Sequence, residues 1–576
     1  MIASSTGELR SRSLDWLAML LGVAITLTLR GYQFGTGNHC VYLIAPLRDV
    51  QPELFANDWW VTHTLQYHVA FIKLTAWLMR AGIVRPAFLT LYLALVVLLH
   101  LAWRRLVRAM GLDARTYLLS VLLYYVSAAG TGLGSYQFLQ DSSFLPGNVA
   151  NVAMLWGLVL WLEGGAIAAA AAALALASLF HLNHAIVALA FWPAASCFAA
   201  WRSTTRREIG RALAGFFLIL AFALSNLIPA ARTALTAKST MPLAEFVDLY
   251  VHLRHPHHYD PLSWPVALWM SFLWPLLFAA LWWQSAQTTG RPRVAFAFLF
   301  FTALPLIALI FAGLLFVSEP LIQMSLFRFS IYLKLISCVA AAGWIVRIST
   351  VNHRVVRSGL VTLPILLLAG LLVVQIRGAH SPAGTFVTTN FAPLLLFVAL
   401  VGAGAVTLLG ASDRWQWAIA VMAVIATVDT ARQGRLGLRV TLADDEGPAY
   451  VALCRWAREH TPVDAVFVVP PNEQLFRFEA RRAIVVNFKN VPQLASEIGE
   501  WRARLEAVLD EPLSALPRRF DLTHAAIAAR YDALSDNQLA AVAHRYGARY
   551  VVTTRPLAGR QAVFENDSYY LYDLTP

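Results

Sequence analysis

The residue types that concentrate in a few short stretches of this chain suit the binding of an anion. LRHPHHYDP supplies Arg254, His255, His257, His258 and Asp260, and Glu245 and Asp248 stand just before it. SEPLIQMSLFRF supplies Glu319 and Arg328, with Tyr332 one helical turn beyond Arg328 on the same face. A guanidinium stays charged when withdrawn from water and grips phosphate oxygens through two parallel bonds. Histidines beside it can add positive charge as pH falls. Pro256 should leave the three histidines in an extended turn beside Arg254, placed for an anion at the membrane surface rather than for a metal. A lone arginine at a helix mouth can equally snorkel, so both readings of Arg328 stay open.

Carboxylates stand in two other stretches. PLRDVQPELFANDWW holds Asp49 and Asp58, and QFLQDSSFLPGN holds Asp141. A carboxylate partly withdrawn from water can act as a general base. Each also has a plainer reading. Asp58 could cap a helix that starts at Trp59, and Asp141, followed by two serines and a proline, could shape a turn. HLNH places His181 and His184 three residues apart, with Asn183 between them. Without cysteine or HExxH context, hydrogen-bonded histidines at a loop end suit this pattern better than zinc ligands. Cys40, Cys197, Cys338 and Cys454 form no metal or redox motif, and a disulfide between Cys40 and Cys454 is left open.

The elements that must position these residues are membrane helices. Hydrophobic residues make up 58% of the 576 residues, charged ones 14%, and the mean hydropathy is +0.59. A soluble domain carries closer to a quarter charged residues. Apolar runs long enough to cross a bilayer are expected near 14–33, 86–103, 116–131, 147–162, 165–181, 185–201, 212–229, 265–283, 294–317, 326–346, 359–376, 391–409 and 414–430, about thirteen in all. An amphipathic segment from Trp59 to Arg80 should lie at the interface. The net charge of +12 sits in short loops, at Arg104/Arg105/Arg108/Arg115, Arg202/Arg206/Arg207/Arg211, Arg291/Arg293, Arg347/Arg354/Arg357 and Arg414. That is the positive-inside pattern, not a nucleic-acid stripe. It predicts an N-terminus in the cytoplasm, a C-terminus outside, and every candidate residue above on the outer side.

Beyond about residue 430 the period changes. AVFVV (465–469), AIVVNF (483–488) and YVVT (550–553) read as buried strands, and 448–460 and 492–509 as helices. The predicted architecture is an α-helical polytopic membrane domain over 1–430 and a small extracytoplasmic α/β domain over 431–576 with a partly parallel sheet. That domain lacks a phosphate loop, a nucleophile elbow and a zinc spacing, which suits a docking or lid role.

This layout resembles the GT-C superfamily of polytopic membrane glycosyltransferases. The likeness is carried by an acidic first outer loop (LFANDWW), a second acidic outer loop at Asp141, an arginine at a later helix mouth, and the stretch CRWAREHTPVDAVFVVPP. It implies Asp58, with Asp49 the weaker candidate, and Asp141 as catalytic carboxylates. It implies Arg328 as the donor-phosphate ligand, and Tyr332, Arg254, His255, His257, His258 and Glu319 are expected to join the substrate site. The implied activity is inverting transfer of a sugar from a polyprenyl-phosphate donor to a glycan, lipid or protein acceptor, at the outer face of a bacterial inner membrane and among membrane lipids. No cofactor is required by the pattern, and a divalent metal is left open. A lipid or anionic-solute flippase is the alternative, with Lys334 its main intramembrane polar residue; a non-catalytic assembly subunit is a third.

Overall fold

The structure is a computed structural model that describes residues 15–27, 30–66, 68–126, 133–135, 138–201, 205–236, 241–264, 268–269, 273, 276, 291–350 and 447–575. The spans expected near 359–376, 391–409 and 414–430, most of the one near 265–283, and the 430/431 boundary lie outside these residues. Five described helices are long and apolar enough to cross a bilayer: Val84–Ala109, Leu182–Ala200, Arg206–Arg232, Pro292–Leu314 and Glu319–Trp344. Asp15–Leu27 and Ile167–Phe180 are shorter apolar helices beside them. The apolar side chains that stay exposed, such as Leu213, Phe217, Ile228, Leu299 and Phe311, lie on the outward faces of these helices. That is the surface of a multi-pass membrane protein, since bilayer replaces water there. The Ser330–Thr350 helix is central, its first half almost wholly buried.

The two ends of the bundle differ chemically. At one end Asp15 pairs with Arg104 (2.6 Å) and Arg108, Arg105 pairs with Glu163 (2.5 Å), and Arg293 donates to the carbonyls of Trp161 and Leu162. The last contact places a cation at a helix C-terminus, where the helix dipole favours it. Arg30, Asp141, His181 and Arg328 sit at the opposite helix ends. The expected 59–80 amphipathic segment is two helices, Trp59–His63 and Val69–Arg80, separated by a turn in which His68 adopts φ +64°. The stretch through Pro256 is also more compact than an extended turn. A π-helix, Val247–Arg254, runs into a single helical turn, Pro256–Tyr259. Proline at a first helical position needs no donor there and fits as a helix start.

The C-terminal domain is a five-stranded sheet in the order β2-β1-β3-β5-β4 (β1 Val466–Val468, β2 Ala483–Ile484, β3 Tyr550–Thr553, β4 Phe564–Glu565, β5 Tyr570–Asp573). β1 pairs parallel with β2 and β3, and β5 is antiparallel to β3. Alternation splits its side chains. Phe467, Ile484 and Val552 face a core shared with the Gly447–His460 helix and Cys40. Val466, Val468 and Val551 face a core shared with Trp501, Leu505 and, from the bundle side, Phe246, Tyr250 and Leu253. One apolar core therefore runs from the π-helix into the domain and fixes it over the bundle mouth. Ion pairs reinforce the seat: Arg518 holds both carboxylate oxygens of Asp248 (2.8 and 3.0 Å), and Arg502 meets Glu245 (2.5 Å). Cys40 and Cys454 are buried in the same small core without forming a disulfide.

Candidate functional site

A cavity of about 490 Å³ lies between the bundle mouth and the C-terminal domain. Its lining carries Arg254, Arg328 and Lys489, six histidines (His68, His181, His255, His257, His258 and His524), and, among the described residues, no Asp or Glu. A chamber with three permanent cations and no carboxylate selects for anions. Lys489 donates to the Gly37 carbonyl and to Gln474 Oε1 (2.8 and 2.5 Å), which binds the domain to the first loop. Arg254 donates to the carbonyls of Phe488 and Lys489 (2.9 and 3.0 Å) and stacks on Phe488. Arg328 meets His181 Nε2.

Hydrogen bonds fix which ring nitrogen holds the proton. Nδ1 of His68 faces the Phe180 carbonyl (3.0 Å), that of His255 the Tyr250 carbonyl (3.0 Å), and that of His258 the Gly134 carbonyl (2.7 Å). A carbonyl only accepts, so each Nδ1 carries hydrogen and each Nε2 a lone pair. Burial pushes His68 down to about 3 and His258 to about 4, and holds His255 well below the usual imidazole range. His257 and His524 are lowered by the same cause, reinforced by nearby positive groups. At neutral pH the histidines are thus uncharged, and the fixed positive field comes from the arginines and Lys489, Arg254 still charged although burial brings it to about 10. An incoming anion would draw protons onto these rings.

A smaller cavity of about 300 Å³ adjoins the first and shares Asn38, Tyr42, His181, His258 and Arg328 with it. Its wall adds Arg30, Gln140, Asp141, Asn148 and Asn151. Asp141 faces Arg30 at 3.6 Å, and its loop is fixed by Asn148, which donates to the carbonyls of Asp141 and Ser143. Arg328 stands between the two spaces, with His68, His255, His257 and His524 lining only the larger and Asp141 only the smaller. Among the described residues no three His, Cys, Asp or Glu side chains group so as to hold a metal ion.

The structure therefore gathers Arg328, Arg254, His255, His257, His258 and Asp141, and it places four other expected residues elsewhere. Asp58 is wholly buried outside both cavities, its carboxylate taken by the amides of Val61 and Ile484 and by Arg477. An acceptor hydroxyl has no access to it, so the geometry corrects the expected catalytic role. Asp49 is a surface tie to Lys73 (2.9 Å) and Arg80 (3.2 Å), the Lys73 hydrogen bond holding its carboxyl below the usual range. Tyr332 is inside the bundle, donating to the Asn151 carbonyl (3.1 Å), and Glu319 begins its short helix away from both cavities. Sequence reasoning missed His68, which the turn before Val69–Arg80 sets against the Phe180 carbonyl, and Lys489 and His524, which reach the chamber only through the docking of the domain. It also passed over Arg30, which ends the first apolar run and so marked a helix mouth, and Gln140, the neighbour of Asp141.

Fold and site together define a multi-pass membrane protein whose helix mouths are covered by an α/β domain above an anion-receptive chamber. Residues 448–508 match a domain of unknown function, DUF6798. The whole chain is similar in structure to ArnT from Cupriavidus metallidurans bound to undecaprenyl phosphate, with a TM-score of 0.48 and 12% identity over 97% of each chain. It is also similar to an oligosaccharyltransferase from Archaeoglobus fulgidus in its apo form, with a TM-score of 0.44 and 12% identity over 93% of this chain and 69% of that one. Comparison with curated proteins gives no match.

Proposed function

We propose that this chain is a GT-C-type inverting glycosyltransferase that takes a sugar from a polyprenyl-phosphate donor at the non-cytoplasmic face of the membrane, with residues 1–430 as its membrane domain and 431–576 as its outer cap. The observation that carries this reading is Arg328, set between a carboxylate-free cationic chamber and a smaller cavity that holds Asp141. The phosphate would occupy the chamber against Arg328. The acceptor oxygen would attack the anomeric carbon from the Asp141 side and pass its proton to that carboxylate. The bond from the anomeric carbon to the phosphate oxygen breaks, and its electron pair leaves with the lipid phosphate. Arg328 stabilises the charge that grows there, and Asp141 supplies general-base catalysis. The arginine-rich bundle end lies opposite the chamber, which suits an outer location.

The test is binding of undecaprenyl phosphate to the full chain in nanodiscs. Arg328→Lys should weaken it about tenfold or more, because lysine cannot make the paired bonds. Asp141→Asn should leave it unchanged or slightly tighter. Equal binding by Arg328→Lys and wild type, or none by wild type, would remove this reading.

A further inference from the structure

Gln140 is 1% exposed, lines the smaller cavity, and has a partner for neither its amide oxygen nor its amide nitrogen. Burying an amide without partners is destabilising, because its lost hydrogen bonds to water are not replaced. A second orphan points into the same place, since Arg30 also lines this cavity and its buried Nε has no partner. The neighbouring amides are occupied. Asn148 holds the Asp141 loop. Asn151 donates to the Leu139 carbonyl (3.0 Å) and accepts from His184 Nε2 (2.8 Å). Asn38 also lines this cavity but is exposed; among the cavity's buried amide side chains Gln140 alone is left for a ligand, offering one acceptor and two donors side by side.

We infer that Gln140, supported by Arg30, is a specificity-determining residue for an uncharged polyhydroxyl group, a sugar ring presenting adjacent hydroxyls. A hydroxyl both donates and accepts, so a pair of them matches both halves of one carboxamide. A neutral ligand fits beside Gln140 because the charges of Arg30 and Asp141 offset each other there, while Arg328 stands on the side shared with the chamber. A buried polar group built to meet a substrate hydroxyl discriminates strongly against ligands lacking it. This assignment rests on the glycosyltransferase reading for its choice of sugar, and donor or acceptor sugar would present the same chemistry.

The experiment compares wild type with Gln140→Met, which keeps length and loses both polar atoms, in full-length protein in nanodiscs. The probes are undecaprenyl phosphate, undecaprenyl-phosphate glucose, and methyl glucoside, galactoside and mannoside. Gln140→Met should bind at least one sugar-bearing probe about tenfold or more weakly and undecaprenyl phosphate equally well. Its ligand-free thermal midpoint should not fall, because no hydrogen bond is lost. A loss confined to the lipid-linked sugar assigns the donor, and one confined to a methyl hexoside assigns the acceptor; either supports the inference. Gln140→Asn, whose amide is withdrawn by one methylene, gives the same comparison if the methionine variant is unstable. Equal sugar affinities in wild type and variants, or no sugar binding at all, would overturn it. Sugar binding without any undecaprenyl phosphate binding would instead remove the phosphate reading and leave this subsite standing.

Discussion

Arg477 Nε donates to Asp58 Oδ2 across 2.7 Å in a pair that water scarcely reaches, with 2% of one side chain and none of the other exposed. The two residues come from the first loop and the C-terminal domain, 419 positions apart. The same oxygen accepts from the Ile484 amide (3.0 Å), and Oδ1 caps the Trp59 helix through the Val61 amide (3.1 Å). One carboxylate thus joins a helix start, a strand and a buried arginine.

Removing it should unseat the domain. Asp58→Ala leaves the Arg477 charge buried and uncompensated, at a cost on the order of 3–5 kcal/mol. Asparagine caps helices about as well as aspartate, yet here its amide nitrogen would face two donors, so Asp58→Asn should also lower the thermal midpoint. Asp58→Leu combined with Arg477→Met should cost less than the sum of the single changes. Thermal unfolding and protease release of residues 447–575 measure both. A variant that keeps wild-type stability while losing turnover would restore Asp58 to a catalytic role.

Acid should weaken the ligand-free protein around the chamber. His68 and His258 titrate near 3 and 4 when folded, against about 6.5 unfolded. The unfolded chain therefore binds more protons between those values, and folding stability is lost as pH falls below about 6.5, by about 1.4 kcal/mol per pH unit for each such histidine. An anion that raises their folded values should reduce this loss. Thermal midpoints between pH 7 and 5, with and without inorganic phosphate, test it; a flat profile without phosphate would contradict the neutral, buried histidines.

Glu497 should show the opposite slope. Burial raises it to about 7, although its Oε1 accepts from the Leu65 amide (3.1 Å) beside the chamber. Folded protein is then the better proton binder between about 4.5 and 7, so stability from this group is present at low pH and lost as pH rises through 7. Glu497→Gln keeps the acceptor and removes the charge. It should raise the thermal midpoint most at pH 8, less at pH 6, and change it little near pH 4.5. A drop at pH 8 would show that the charge is needed.

Some of this was determined by local sequence. Apolar run length and arginine placement marked helices such as Val84–Ala109 and Leu182–Ala200, because bilayer crossing requires a fixed length of apolar chain. Buried runs at 465–469, 483–488 and 550–553 gave the three parallel strands, because a strand covered on both faces is apolar throughout. The short strands 564–565 and 570–573 and the helices at 520–532 and 536–545 had weaker periods and were not foreseen. The arginine and histidines of LRHPHH and Arg328 were legible as phosphate-binding types because their chemistry is intrinsic. What Asp58 does was not, because a carboxylate in a loop serves whatever docks on it, and Arg477 arrives only with the folded domain. The same long-range docking brings Lys489 and His524 over the bundle mouth, and burial then sets the histidines' charge. Those are properties of neighbours distant in sequence, and only the tertiary structure supplies them.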